Sequence, residues 1–160
     1  AKSMGSGMPI AAIMGKAHVM DAAGPSTIGG TYAGNPVCCA AALATIKYMQ
    51  EININMLGNK IGEIVKARFD AWQKKFPHII GEVRGLGAML AFELVKDGDI
   101  QKPNTELAQK IMHTCAQRGL IIITAGLYGN VIRILSPLVI EEDLLNKGLD
   151  ILEGVITEHG

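Results

Sequence analysis

The sequence predicts an α/β chain in which residues 53–160 form an α+β unit, with helices on one face of a mostly antiparallel sheet. Three observations carry that expectation. Apolar residues recur at three- and four-residue steps in the longer windows and run or alternate in short ones, the patterns of helices and of strands. They make up 49% of the 160 residues against 19% charged, enough for a core and far from the composition of a disordered chain. The 19 glycines gather largely in the opening loop, in TIGGTYAGNP and in VRGLGAML, where the backbone must turn tightly or approach something closely.

Taken in order, the first 36 residues read as irregular and glycine-rich. IAAIMG is expected as a short buried strand and KAHVMDA as a short helix. In NPVCCAAALATIKYMQ, Asn35 is a good N-cap, Pro36 suits the first helical position, and an alanine-rich run follows. EININML marks a kink or junction. Beyond it Ile61, Ile64, Val65, Phe69, Trp72 and Phe76 form one apolar helical stripe, ended by Pro77. EVRGLGAMLAFELV reads as one strand, with Gly85 and Gly87 marking a bulge or a close approach. NTELAQKIMHTCAQRG is a helix with a polar cap and Gly119 as its stop. LIIIT reads as a short buried strand, AGLYGN as a turn and VIRILSPL as a further strand. The last helix has acids in its first turn and a stripe of Leu144, Leu145, Leu149, Leu152 and Ile156. Residues 1–52 hold one expected strand among long glycine loops, too little to close a core. They read as the tail of a larger α/β layer, with an exposed apolar helix face that should self-associate or disorder.

Charge and composition narrow the function. Fifteen basic residues balance fifteen acidic ones, so nothing marks a nucleic acid or an anionic membrane as partner. Aromatics are 4%, too few for a stacking platform. Cys38, Cys39 and Cys115 offer no paired spacing and the four histidines no H-E-x-x-H; no metal site is expected, and a reducing, cytoplasmic compartment fits. No apolar run approaches the roughly 20 residues that span a bilayer.

Three stretches hold residues suited to chemistry, each with two readings on the residues alone. Lys2, in KSMGSGMP, is either a solvated lysine or an amine held against a ligand, where burial would favour its nucleophilic form. GGTYAGNP is either an ordinary capped turn or a phosphate seat, in which the Gly29–Gly30 backbone comes close, Thr31 offers a hydroxyl and a helix N-terminus follows. Arg133, inside the apolar strand NVIRILSPL, either lies on a solvated face or forks onto a carboxylate. Arg84 in VRGLG invites the same two readings. The loops lack the G-K-[ST] of a P-loop and the third glycine of a dinucleotide fingerprint.

AKSMGSGMPIAAIMG, GGTYAGNP, VRGLGAMLAFEL and NVIRILSPL, in this order and spacing, closely resemble the C-terminal part of the class III, pyridoxal-phosphate-dependent aminotransferases, over the whole chain. The resemblance is strongest to members acting on 4-aminobutyrate. It implies a fold type I transferase, with residues 1–52 the tail of the large cofactor-binding domain and 53–160 the small C-terminal domain. By the same resemblance, Lys2 matches the lysine that forms the Schiff base with pyridoxal phosphate. Thr31 matches the threonine whose hydroxyl and amide bind the cofactor phosphate, Gly30 sits beside it, and in the family this contact reaches the other subunit's site. Arg133 matches the arginine that pairs with the α-carboxylate of glutamate or 2-oxoglutarate. The implied parent is a homodimer converting 4-aminobutyrate and 2-oxoglutarate to succinate semialdehyde and glutamate; other ω-amino donors, ornithine or acetylornithine among them, are the alternative within the class. The family's aspartate facing the pyridine nitrogen, its main phosphate loop and its ring-stacking aromatic have no counterpart here. The chain therefore reads as a fragment that neither holds the cofactor nor transaminates by itself. A non-catalytic dimerisation or ligand-binding module is the reading from outside the class.

Overall fold

The computed structural model describes residues 2–31 and 33–160. The chain divides into two compact units, Ala1–Ile54 and Asn55–Gly160.

The first unit is built on one helix. A 3-10 turn, Lys2–Gly5, opens it, a short α1 (Ala17–Met20) follows, and α2 runs from Pro36 to Glu51. Asn35 caps α2 as its sequence requires, its Oδ1 accepting from the Val37 and Cys38 amides at 3.0 and 3.3 Å. The face that carries Cys38 and Ala42 is buried, and α2 packs on the opening turn. Thr45 on that face meets Ser6 through their hydroxyl oxygens at 3.0 Å. IAAIMG is not a strand: residues 10–15 are irregular, with Ile13 67% and Met14 98% exposed. A strand needs a neighbour to take its backbone hydrogen bonds, and this unit contains no strand among its described residues. Leu43, Ile46, Tyr48 and Met49 leave much of the outer face of α2 apolar and exposed.

The second unit runs α3 (Ile54–Lys75), β1 (Ile80–Leu86), β2 (Met89–Lys96), β3 (Asp99–Pro103), α4 (Thr105–Gln117), β4 (Ile123–Ala125), β5 (Val131–Ile134) and α5 (Glu142–His159). Every strand pairing is antiparallel, in the order β1-β2-β5-β4, with β3 also on β2. Alternation along β2 sends Leu90, Phe92 and Leu94 into one core with Ile132 of β5 and with the apolar stripes of α3, α4 and α5. Phe69, Trp72 and Phe92 form its aromatic centre, Phe92 edge-on to Phe69 at 4.9 Å between centroids. Across α3 and α5, Arg68 bridges Asp150 at 2.6 Å and Glu153 at 2.9 Å, an exposed network that adds only about 0–1 kcal/mol per pair.

The sheet differs from expectation in two places. VRGLGAMLAFELV is a hairpin rather than one strand: Leu86 pairs with Met89 and the turn is Gly87-Ala88, with Gly87 at φ +54°. That left-handed conformation suits glycine and lets two residues reverse the chain. β3 is an additional strand, entered through Asp97-Gly98 at φ +57° and +71°, the Asp-Gly pair that favours a two-residue hairpin turn. Only Ile123 and Thr124 of LIIIT enter a strand, the three-residue edge strand β4, and Ile121 is 88% exposed. In α5, Leu144 turns to solvent and Val155 takes its place among the buried residues. Among the described residues no helix is long and apolar enough to cross a membrane.

Candidate active site

Lys2 and the glycine-rich turn lie in the first unit. Lys2 is exposed and sits at φ +56°, a conformation uncommon for a residue with a side chain and often found where backbone strain serves a site. The turn after it is closed by the Ser6 amide donating to the Ser3 carbonyl at 3.1 Å and the Met8 amide to Gly5 at 2.9 Å. Gly5 is buried beneath it, so the loop bearing Lys2 is anchored on α2.

Gly30 and Thr31 lie just ahead of α2 and are exposed. The Ala33 amide donates to the Gly30 carbonyl at 2.9 Å, folding a tight turn. A Cβ placed on Gly29 or Gly30 would meet nothing within 4 Å, so the backbone there is open to approach. Tyr32, within the same block, lies outside the described residues. Among the described residues no hydrogen bond or ion pair joins Lys2 to Gly30 or Thr31.

Arg133 lies in the second unit, on β5. It pairs with Ala91 on β2 and with Ile123 on β4. β5 is set by Asn130, a buried polar residue whose side-chain amide donates to the Leu94 carbonyl at 2.9 Å, while its own carbonyl accepts from the Leu94 amide at 2.8 Å. The side-chain amide nitrogen and the backbone carbonyl of Asn130 thus hold the strand's start against β2, a role for which the sequence carries no signal. Arg133 forms no ion pair among the described residues, and its Nε is buried without a hydrogen-bond partner.

Arg133 lines a cavity of about 620 Å³ with Ile123, Leu135, Ser136, Leu144 and Gly148. The buried Ser136 hydroxyl in its wall also has no hydrogen-bond partner; Lys147 adds positive charge, while Arg118 is paired with Glu158. Unsatisfied buried donors are costly unless a partner arrives. A mostly apolar cavity holding an unpaired guanidinium is therefore suited to a carboxylate on a short carbon chain. Ser136 follows β5 in the run LSPL; its signal in sequence is a hydroxyl beside an apolar strand, too common to single out.

In the first unit, Lys2 offers an exposed amine, the kind of group that reacts with the aldehyde of pyridoxal phosphate, while Thr31 offers a hydroxyl and Gly30 an unobstructed backbone, groups able to take a phosphate. In the second unit, Arg133 offers a guanidinium without an ion pair, able to take a carboxylate.

Comparison with known proteins shows the family. The family model described as aminotransferase class-III matches residues 1–156. A probable 4-aminobutyrate aminotransferase of Bacillus subtilis is 46% identical over 95% of this chain and 35% of its own length. A 5-aminovalerate aminotransferase of Pseudomonas aeruginosa is 47% identical over 95% of this chain and 35% of its own. The 4-aminobutyrate aminotransferase of Escherichia coli is 44% identical over 99% and 37%. Among solved structures, a phospholyase from Arthrobacter in complex with phosphoethanolamine superposes with a TM-score of 0.84 at 27% identity, over 96% of this chain and 36% of that one. An amine transaminase from an uncultivated Pseudomonas species, solved in its PLP-bound internal aldimine form, gives 0.73 at 26% identity, over 85% and 30%. The chain spans a little over a third of the length of these curated relatives.

Proposed function

The chain belongs to the class-III aminotransferases, and from that membership we propose that it is the part of a 4-aminobutyrate-type transaminase that carries the reactive lysine. Residues 1–52 belong to the large domain and 53–160 are the small domain. The observation that carries the substrate side is the buried, unpartnered Nε of Arg133 in its largely apolar cavity.

Bound pyridoxal phosphate supplies an electron sink for the charge that develops on the substrate carbon. The Lys2 amine would hold the cofactor's aldehyde and, when free, would carry the proton from the amine-bearing substrate carbon to the cofactor's aldehyde-derived carbon. The Thr31 hydroxyl and the backbone at Gly30 would hold the phosphate of a cofactor. Arg133 grips the α-carboxylate of glutamate or 2-oxoglutarate in a forked pair, which sets the reacting carbon in place. The parent works as a homodimer, with Thr31 serving the neighbouring subunit's cofactor. The 160-residue chain alone does not turn over. The 5-aminovalerate relative at 47% identity supports a second donor, one carbon longer, for the same site.

The test grafts this chain onto the Escherichia coli relative in place of the segment it matches. The chimera is expected to transaminate 4-aminobutyrate with 2-oxoglutarate. Lys2→Ala should abolish turnover, and Arg133→Met should raise KM for the oxo acid with less effect on the amine. A folded, cofactor-loaded Lys2→Ala chimera that still turns over would remove Lys2 from the reaction. Enzyme-level turnover by the isolated chain would overturn its assignment as inactive.

A further inference from the structure

We propose that Arg84 is a positioning residue that holds the Glu93 carboxylate away from Arg133, leaving the Arg133 guanidinium open to a carboxylate ligand. The proposal rests on the reading of Arg133 given above. Its basis is the register of the sheet. Arg84 pairs with Ala91, and Ala91 pairs with Arg133, so three adjacent strands place two arginines in one row on either side of an alanine. Side chains of directly paired residues leave a sheet on the same face. This is the face opposite Phe92 and Ile132, which point into the core.

Glu93 lies two residues beyond Ala91 on β2, paired with Val131, and so projects on that same face. It is the diagonal cross-strand neighbour of Arg133. Diagonal neighbours lie about 7–8 Å apart, within reach of two long side chains. Glu93 is also poorly solvated, its side chain 23% exposed, and a carboxylate in that setting must find a cation. Two guanidiniums are near, and only one is engaged. Arg84 donates to Glu93 at 2.6 Å through Nη2 and to Glu82 at 2.7 Å through Nη1. The hydrogen bond to Glu93 outweighs the cost of partial burial and holds the Arg84 guanidinium above its ordinary range.

Arg84, clamped between two carboxylates, is thus closed to a ligand, and Arg133 has no ion pair among the described residues. Removing Arg84 would leave Glu93 with Arg133 as its nearest unpaired cation on that face. The new pair would compete directly with any carboxylate ligand, because both need the same forked donors.

The test uses the full 160-residue chain with 2-oxoglutarate as probe. The Arg133 Nε–H resonance is followed by nitrogen-15 NMR, and binding by its titration. In Arg84→Met the Arg133 Nε–H signal should move to an ion-paired position and 2-oxoglutarate affinity should fall by about tenfold or more. Adding Glu93→Gln should reverse both changes, and Arg84→Lys should leave Arg133 close to wild type. Arg84→Gln carries the same expectation as the methionine variant and serves if the latter does not fold. An unmoved Nε–H signal in a folded Arg84→Met or Arg84→Gln chain, or failure of Glu93→Gln to reverse the change, overturns the proposal. If the signal moves and reverts while no variant binds 2-oxoglutarate, the carboxylate role of Arg133 fails and the positioning role of Arg84 stands.

Discussion

Gly62 is the tightest point of contact between α3 and the β1–β2 hairpin, and replacing it by alanine isolates that contact. A Cβ at Gly62 would lie 2.4 Å from the Gly87 carbonyl oxygen and 2.6 Å from its carbon. Both are backbone atoms of a two-residue turn, so no side chain can swing aside. Relief requires the hairpin or the helix to move by roughly 1 Å, and overpacking of this kind costs about 1–3 kcal/mol. Against it stands the helix preference for alanine over glycine, about 1 kcal/mol in an interior position. Gly62→Ala should therefore gain nothing and lose up to about 2 kcal/mol. One turn earlier, Gly58 provides the control: a Cβ there would meet only the Leu138 methyls at 3.8 Å, an ordinary contact. Gly58→Ala should be stabilised by about 0.5–1 kcal/mol. Urea unfolding followed by fluorescence of Trp72, the single tryptophan, which is 1% exposed, reads both variants with one probe. A Gly62→Ala chain stabilised as much as Gly58→Ala would refute the view that the hairpin seats on α3 through missing side chains.

Two further outcomes follow from burial and exposure. Burial pushes the Cys115 thiol from 9.0 up to about 11 while Arg118 pulls slightly the other way, so the unfolded chain loses this proton at a lower pH than the folded one. Its contribution is therefore intact below pH 9.0 and is lost as the pH rises towards about 11. Urea titrations across that window should show a falling stability that Cys115→Ala, though less stable throughout, removes. On α2, Leu43 is 68% and Ile46 47% exposed, and an apolar helix face of this kind drives association. Sedimentation velocity should show concentration-dependent self-association of the wild-type chain, reduced by Leu43→Gln with Ile46→Gln; a monomer at every concentration would contradict it.

The helices were legible in the sequence because their determinants are local. Asn35 with Pro36 sets the start of α2, the 61-64-65-69-72 stripe sets the buried face of α3, and Asn104 and Gly119 bracket α4, all within a few residues of where they act. The residue types at Lys2, Thr31 and Arg133 were likewise visible, through four short blocks at fixed spacing. The strands were read less well. Nothing within VRGLGAMLAFELV distinguishes a bulge from a hairpin turn until Leu86 is seen to pair with Met89. IAAIMG is apolar enough for a strand and remains irregular, since among the described residues its unit offers no neighbouring strand to satisfy its backbone. What only the tertiary structure decided is which charges are engaged. Arg84 and Arg133 are alike in sequence, each an arginine in an apolar strand, yet Arg84 is spent on Glu82 and Glu93 while Arg133 is left with a buried, unpartnered Nε. The physical reason is register: cross-strand neighbours are set by pairing between strands far apart in the chain, and one residue of slip would move every side chain to the other face.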